Sequence, residues 1–234
     1  MSDSVLEASP SVKFPADVVD LEPWKLTLPV LEHGKIKEIK QPELATFADK
    51  EFFGLTDDGT GIRFRCHHGG ATTSGSNNPR TELREMTSDG SGLAKWATNK
   101  GRHILNVRGQ VNRLTHVRPH VVIAQIHDDA DDVTVFRVEG TRLFVTKGNN
   151  NHAHRVTDAF DLEASYELGF DVSGDKVTYS YNGEKLAFGL TVNNRACYFK
   201  AGNYLQSNKK SAPGESTSEF AEVVIFELTV THTA

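Results

Sequence analysis

The sequence predicts an all-β domain of the sandwich or jelly-roll kind. Three observations carry this: apolar and polar residues alternate through much of the chain, turn residues separate the alternating runs, and the runs recur at intervals of about 8 to 12 residues. Taken in order, residues 1–20 are polar and mixed, with Pro10 and Pro15, and read as a loosely ordered lead-in to a single domain over 21–234. Strand character begins at Leu21. The stretch Phe47 to Phe53 is the one place where a helical turn is expected. Val133, Val135 and Arg137 alternate up to Glu139-Gly140, after which Leu143 and Val145 alternate again, which predicts a hairpin. Val177, Tyr179 and Tyr181 lead into Asn182-Gly183, a pair that tolerates positive φ at both positions and so closes a two-residue hairpin. The chain closes with Phe220 to Val230, where Phe220, Val224, Phe226, Leu228 and Val230 share one parity and predict one strand face.

Of the 234 residues 38% are hydrophobic and 24% charged, and the mean hydropathy is -0.42, enough for a core without disulfides or metals. No run approaches the roughly 18 apolar residues of a membrane-spanning helix. The opening MSDSVLEASP lacks the basic and apolar regions of a secretion signal, so a cytoplasmic protein or the mature form of an exported one is expected. A net charge of -5 argues against nucleic acid or an anionic membrane as partner, and a monomer is expected. The distribution of charge is uneven. Gly101 to His127, Thr60 to Thr81 and Leu186 to Gly214 contain no Asp or Glu but carry Arg102, Arg108, Arg113, Arg118, Arg63, Arg65, Arg80, Arg195, Lys200, Lys209 and Lys210. If these stretches converge, an acidic protein has a basic cleft suited to an anionic ligand. Cys66 and Cys197 form no C-x-x-C and read as buried thiols or one bridge. His67-His68 and His152-x-His154 lack a further ligand at metal spacing and read as loop histidines; no metal or other cofactor is expected.

Parity sorts three further segments into core and surface. In Arg80 to Met86, Arg80, Glu82 and Arg84 share a face and Leu83 points the other way. In Val121 to His127, Val122, Ala124 and Ile126 form one face, with Gln125 and His127 ending the other. In Tyr198 to Gln206, Tyr198, Lys200, Tyr204 and Gln206 stand together in front of Phe199, Ala201 and Leu205. A solvated sandwich face also alternates, but it seldom collects amides, a histidine and tyrosines among its cations. Glu82 on its own reads as the ion-pair partner that orients the two guanidinium groups.

RTELREM (Arg80 to Met86), QIH (Gln125 to His127) and YFKAGNYLQ (Tyr198 to Gln206), in that order, resemble the three signature blocks of the alginate lyases of polysaccharide lyase family seven. Trp24 to Pro29 is similar to that family's opening strand, so the likeness runs from about Leu21 to Thr231. The resemblance implies a β-jelly roll of two curved antiparallel sheets with a substrate groove on the concave face. It also implies catalytic roles for Arg80, Gln125, His127 and Tyr204, and contact with the anionic polysaccharide alginate by Glu82, Arg84, Lys200, Gln206 and Tyr198. Ile126, the middle residue of the second block, accompanies guluronate preference in that family.

These residue types suit the implied chemistry. Each uronate carries a carboxylate next to C5, and its C5 proton is hardly acidic until that charge is neutralised. Arg80 and Gln125 offer a planar fork and an amide for this. His127 can supply either a further donor or a base near neutral pH, and Tyr204 can protonate the departing O4 or also take the C5 proton. Activity without added metal, surviving EDTA, is the corresponding expectation. Three rivals remain open on sequence alone, one of them a lyase for another polyuronate such as glucuronan. A hydrolase needs two carboxylates flanking the bond, and a carbohydrate-binding module needs only the groove.

Overall fold

Alternation is realised as two antiparallel sheets in the computed structural model, which describes residues 12–234. The strands β1 (Trp24–Glu32) and β2 (Lys35–Ile39) make a hairpin, and β3 (Phe53–Leu55) and β4 (Ile62–His67) follow a 3-10 turn at Glu43–Thr46. Next come β5 (Arg80–Glu85), β6 (Arg102–Arg113), β7 (His120–His127), β8 (Asp132–Glu139), β9 (Arg142–Lys147) and β10 (Asn150–Thr157). The last five are β11 (Ser165–Ser173), β12 (Lys176–Tyr181), β13 (Glu184–Thr191), β14 (Tyr198–Leu205) and β15 (Phe220–Thr233). One sheet runs β10-β9-β8-β7-β14-β5-β1-β2 and the other β13-β12-β11-β6-β15-β4-β3, the expected jelly roll. Among the described residues no helix is long and apolar enough to cross a membrane.

The inward faces make one core. Leu26 and Leu28 of β1, Leu83 of β5, Ile126 of β7 and Phe199 of β14 meet Phe170, Val172 and Tyr179 of the second sheet, all buried. Phe136 lies 4.9 Å from Phe170 and 5.9 Å from Tyr179 between ring centroids, the last pair edge-on. Burying each such ring is worth about 1.5–3 kcal/mol, so this layer fixes which face of the eight-stranded sheet is left for a ligand. The hairpin at Asn182-Gly183 forms as expected, with φ of 49° and 81°. The Val133 to Val145 hairpin is β8 and β9.

Several expectations are corrected. The helical turn is at Glu43–Thr46 rather than Phe47 to Phe53, because the Asp49 carboxylate accepts the backbone N–H groups of Glu51 and Phe52 and folds that stretch into a tight turn onto Phe53. The single parity of Phe220 to Val230 fails: Val223, Ile225 and Leu228 face the core, because register shifts near Glu222 and Phe226 reset the alternation. In β7, Val121, Ile123, Ala124 and Ile126 are in the core and Val122 is not, again because of an irregularity between Val122 and Ala124. His152 and His154 sit on β10, not in a loop; His152 Nε2 meets Glu139 at 3.0 Å and His154 stacks on Phe188. Cys66 and Cys197 are free, buried thiols. Of the lead-in, residues 1–11 lie outside the described residues, while Pro15–Asp17 form a 3-10 turn and Val19 is buried in the core.

Candidate active site

The sheet order places the three polar segments side by side, β5, then β14, then β7. Register does the rest: Lys200 sits across from Arg84 on one side and Gln125 on the other, Tyr204 across from Arg80 and Tyr198 across from His127. Gly202 lies between them with φ of 134°, a backbone that favours glycine, and a Cβ there would come within 2.9 Å of the Thr81 carbonyl. Arg80, Arg84, Gln125, His127, Tyr198, Lys200 and Tyr204 all line one groove on the outer face of this sheet.

Beneath the groove lies Glu82. Its carboxylate is 1% exposed and accepts hydrogen bonds from Lys200 Nζ at 2.5 Å, Arg80 Nη1 at 3.3 Å and Gln125 Nε2. Burial alone would raise the Glu82 pKa, but the charges of Lys200 and Arg80, with the hydrogen bonds from Lys200 and Gln125, outweigh it and hold the acid below its usual range. Burial also pushes Lys200 down to about 8; Glu82 opposes this, and Arg80 and Arg84 add to it. One carboxylate therefore pins two cations and an amide. Arg80 Nε and Gln125 Oε1 are buried without a hydrogen-bond partner among the described residues. Glu82 pairs with Arg80 as its reading as an ion-pair partner expects, but its second cation is Lys200 and not Arg84, whose guanidinium donates to the Glu85 and Ala94 carbonyls; it lies beneath the residues that line the groove. Gln125, expected to donate to the carboxylate, spends one of its two N–H groups on Glu82.

His127 has a defined tautomer. Its Nδ1 lies 2.6 Å from the Asp128 carbonyl, which only accepts, so Nδ1 carries the proton and Nε2 keeps its lone pair. Burial first, then the charge of Lys200, lowers its pKa and keeps the ring neutral. Tyr198 stacks against His127, its hydroxyl 3.0 Å from Nδ1, while the Arg84 guanidinium covers the Tyr198 ring at 3.9 Å. The Arg80 guanidinium covers the Tyr204 ring at 3.8 Å, and the Tyr204 hydroxyl reaches Ser76 at 2.9 Å. Gln206 points elsewhere than the other site residues: its Oε1 accepts from Arg137 Nη1 at 2.7 Å. It is absent from the lining of this groove, while its Nε2 donates to the Tyr204 carbonyl at 3.4 Å.

The acid-free stretches converge only in part. Arg80, Gln125, His127 and Lys200 meet, but Arg65, Arg102, Arg108 and Arg113 lie on the other sheet, paired with Glu222, Asp171, Glu227 and Glu219. Absence of acids along a segment says nothing about acids on the neighbouring strand. Parity also missed Lys25 and Thr27 of β1, Ser76 of the loop before β5, and Asp131 and Asp132, all lining the groove. Burial and the Asp131 charge push Asp132 up to about 6. One group of possible metal ligands, His116, Glu215 and Glu219, comes together where the sequence showed no such motif, but Glu219 is paired with Arg113 and Glu215 accepts the Val117 N–H at 2.7 Å.

A family model described as alginate lyase matches residues 19–232. An alginate lyase of Klebsiella pneumoniae is 34% identical over 192 residues, 68% of this chain; the chain spans 60% of the length of that curated relative. Among solved structures, the alginate lyase from Corynebacterium sp. is 43% identical with a TM-score of 0.91, covering 95% of this chain and 100% of its own. The alginate lyase AlgAT5 from polysaccharide lyase family 7 is 40% identical with a TM-score of 0.89, covering 94% and 99%.

Proposed function

The chain belongs to the alginate lyase family of polysaccharide lyases, and from that premise we propose that it is a family seven enzyme that cleaves alginate by β-elimination, with preference for guluronate. The observation that carries the reading is the joint geometry of the groove: two cations pinned by one buried carboxylate, beside a neutral histidine with a free Nε2 and a tyrosine hydroxyl. Cations meet the uronate carboxylate; the other two groups move protons. Residues 21–234 act as one catalytic domain, and as a monomer.

In this mechanism Arg80 and Gln125 take the C5 carboxylate and stabilise the charge that develops on it. The C5–H bond breaks, its electron pair forms the C4=C5 double bond, and the C4–O4 bond breaks as O4 receives a proton. Guluronate and mannuronate are C5 epimers, so O4 is anti to the C5 proton in one and syn in the other. For guluronate, His127 takes the proton and Tyr204 supplies one to O4; for mannuronate, Tyr204 first loses its phenol proton to solvent, then takes the C5 proton as phenolate and hands it to O4. Ile126 is fully buried beneath this face, so its link to guluronate preference acts through the seating of Gln125 and His127.

The rival chemistries fit less well. Glu82 is unreachable and charged, Glu38 is tied to Lys25 at 2.5 Å, and Asp131 and Asp132 are chain neighbours rather than a pair set on both sides of a bond. Mixing the protein with alginate and following ultraviolet absorbance tests the proposal. A conjugated unsaturated uronate should accumulate; a hydrolase or a binding module gives none.

His127→Asn separates the two sugars. It keeps a polar group but loses the base, so polyguluronate cleavage should fall about 10²-fold or more while polymannuronate cleavage falls much less. Because His127 titrates below its ordinary value near 6.5, wild-type kcat/KM on polyguluronate should hold down to that pH and decline only below it. Asp132, pushed up to about 6, titrates with both polymers, so the His127 limb is the one seen with polyguluronate alone. Equal losses on both polymers would leave His127 as a carboxylate-neutralising donor and end the division of labour.

A further inference from the structure

Resting on the assignment of Tyr204 as the proton-transfer group, we propose that Ser76 is its positioning residue, a hydroxyl that accepts from the phenol before proton transfer and donates to the phenolate after it. The Ser76 Oγ lies 2.9 Å from Tyr204 Oη across a large gap in sequence. A serine hydroxyl has one proton and two lone pairs. One lone pair is occupied, because the Asn78 backbone N–H donates to Oγ at 2.9 Å.

That leaves one lone pair and one proton, and the structure offers the proton two acceptors. These are the Asn78 carbonyl at 3.3 Å and Tyr204 Oη at 2.9 Å. While Tyr204 holds its proton and no sugar is bound, the phenol donates to Ser76 and the serine proton rests on Asn78. When Tyr204 has passed its proton to O4, the phenolate can only accept, and rotation about one bond turns the serine proton onto it. Hydrogen bonds to ionised groups are about twice as strong as neutral ones, so the second state is favoured only when charge has appeared. The donor is thus selective for the charged step rather than for substrate binding.

The loop is built to hold this hydroxyl still. The Ser76 N–H donates to the Thr73 carbonyl at 3.0 Å, and Asn208 Nδ2 donates to Asn78 Oδ1 at 2.5 Å, tying the loop to the segment after β14. The other groups that face Tyr204 are Arg80 of β5 at 3.8 Å from the ring, Lys200 of its own strand at 5.7 Å, and Val122 of β7, which is apolar. His127, Asp131 and Asp132 share the groove. Of these, Arg80 and Lys200 supply charge over the ring face, and among the described residues Ser76 alone has a contact at the oxygen within hydrogen-bonding distance.

The test compares Ser76→Ala, Ser76→Thr and Tyr204→Phe on defined polymannuronate and polyguluronate. With Ser76→Ala, kcat should fall about 3- to 10-fold with KM within about twofold, the loss expected for one hydrogen bond made in the charged state. Ser76→Thr, which restores a hydroxyl, should return kcat toward the wild-type value. Wild-type kcat in Ser76→Ala would overturn the proposal. So would a change confined to KM, which would mean that the serine only shapes the loop. Tyr204→Phe keeps the outcomes apart: if it retains turnover the assignment of Tyr204 is wrong, and if it collapses while Ser76→Ala is silent only the role of Ser76 is wrong.

Discussion

Tyr204→Phe should abolish turnover on polymannuronate and polyguluronate alike, by about 10²- to 10⁴-fold, the range over which a general acid or base contributes. The substitution removes one atom. The ring stays, with Arg80 stacked over it at 3.8 Å and Lys200 at 5.7 Å, so the cations that meet the substrate keep their seats. Binding should therefore change little, and the loss should appear in kcat. Both polymers need a proton on the departing O4, and among the groove side chains the Tyr204 hydroxyl is the one assigned to give it. A solvent proton can replace it only slowly at neutral pH. The measurement is steady-state ultraviolet kinetics on both polymers, with circular dichroism to show that the fold is kept. Turnover near the wild-type level in a folded variant would remove Tyr204 from the mechanism and with it the syn route for mannuronate.

What could be read before the structure follows from how local each signal is. Arg80, Arg84, Tyr198, Lys200 and Tyr204 are legible because period-two alternation within one strand survives folding, and β5 and β14 pair without interruption from Arg80 to Arg84. Val122 was misassigned because the irregularity in β7 exchanges the two faces, and no residue type there announces it. Glu82 has the right parity but the wrong depth. It is short enough to stay beneath longer Arg and Lys side chains, and depth along a side chain is not encoded in alternation. Ser76 lies in a polar loop of Thr, Ser, Gly and Asn, where every residue looks alike until Tyr204 is placed against one of them. Gln206 stands outside the groove lining because Arg137, on a strand not otherwise singled out for chemistry, takes its amide oxygen.

The depth of Glu82 leads to a large effect on stability. Glu82→Gln keeps the shape of the side chain but removes the charge that Lys200 and Arg80 share. Removing one partner of a buried ion pair costs about 3–5 kcal/mol, because the remaining charge stays out of water. At pH 7 this should lower Tm by on the order of 10 °C for a domain of this size. Part of the cost is avoidable, since Lys200 is already pushed down to about 8 and can release its proton once the carboxylate has gone. The pH dependence identifies the cause. Glu82 is held below its unfolded value near 4.3, so its contribution is fully present above that pH and is lost as pH falls through the lower folded value. Wild type should then lose stability on acidification in a step that Glu82→Gln lacks, and the gap between the two proteins should narrow as the pH falls. Activity should fall as well, because the amide of Gln125 and the fork of Arg80 lose the acceptor that aims them. Thermal unfolding of both proteins from pH 7 down to about 3.5 is the measurement, scored against the unfolded carboxylate value. A gap that stays constant with pH would mean that Glu82 contributes packing rather than charge, and no gap at all would mean that the cations in the groove need no buried partner.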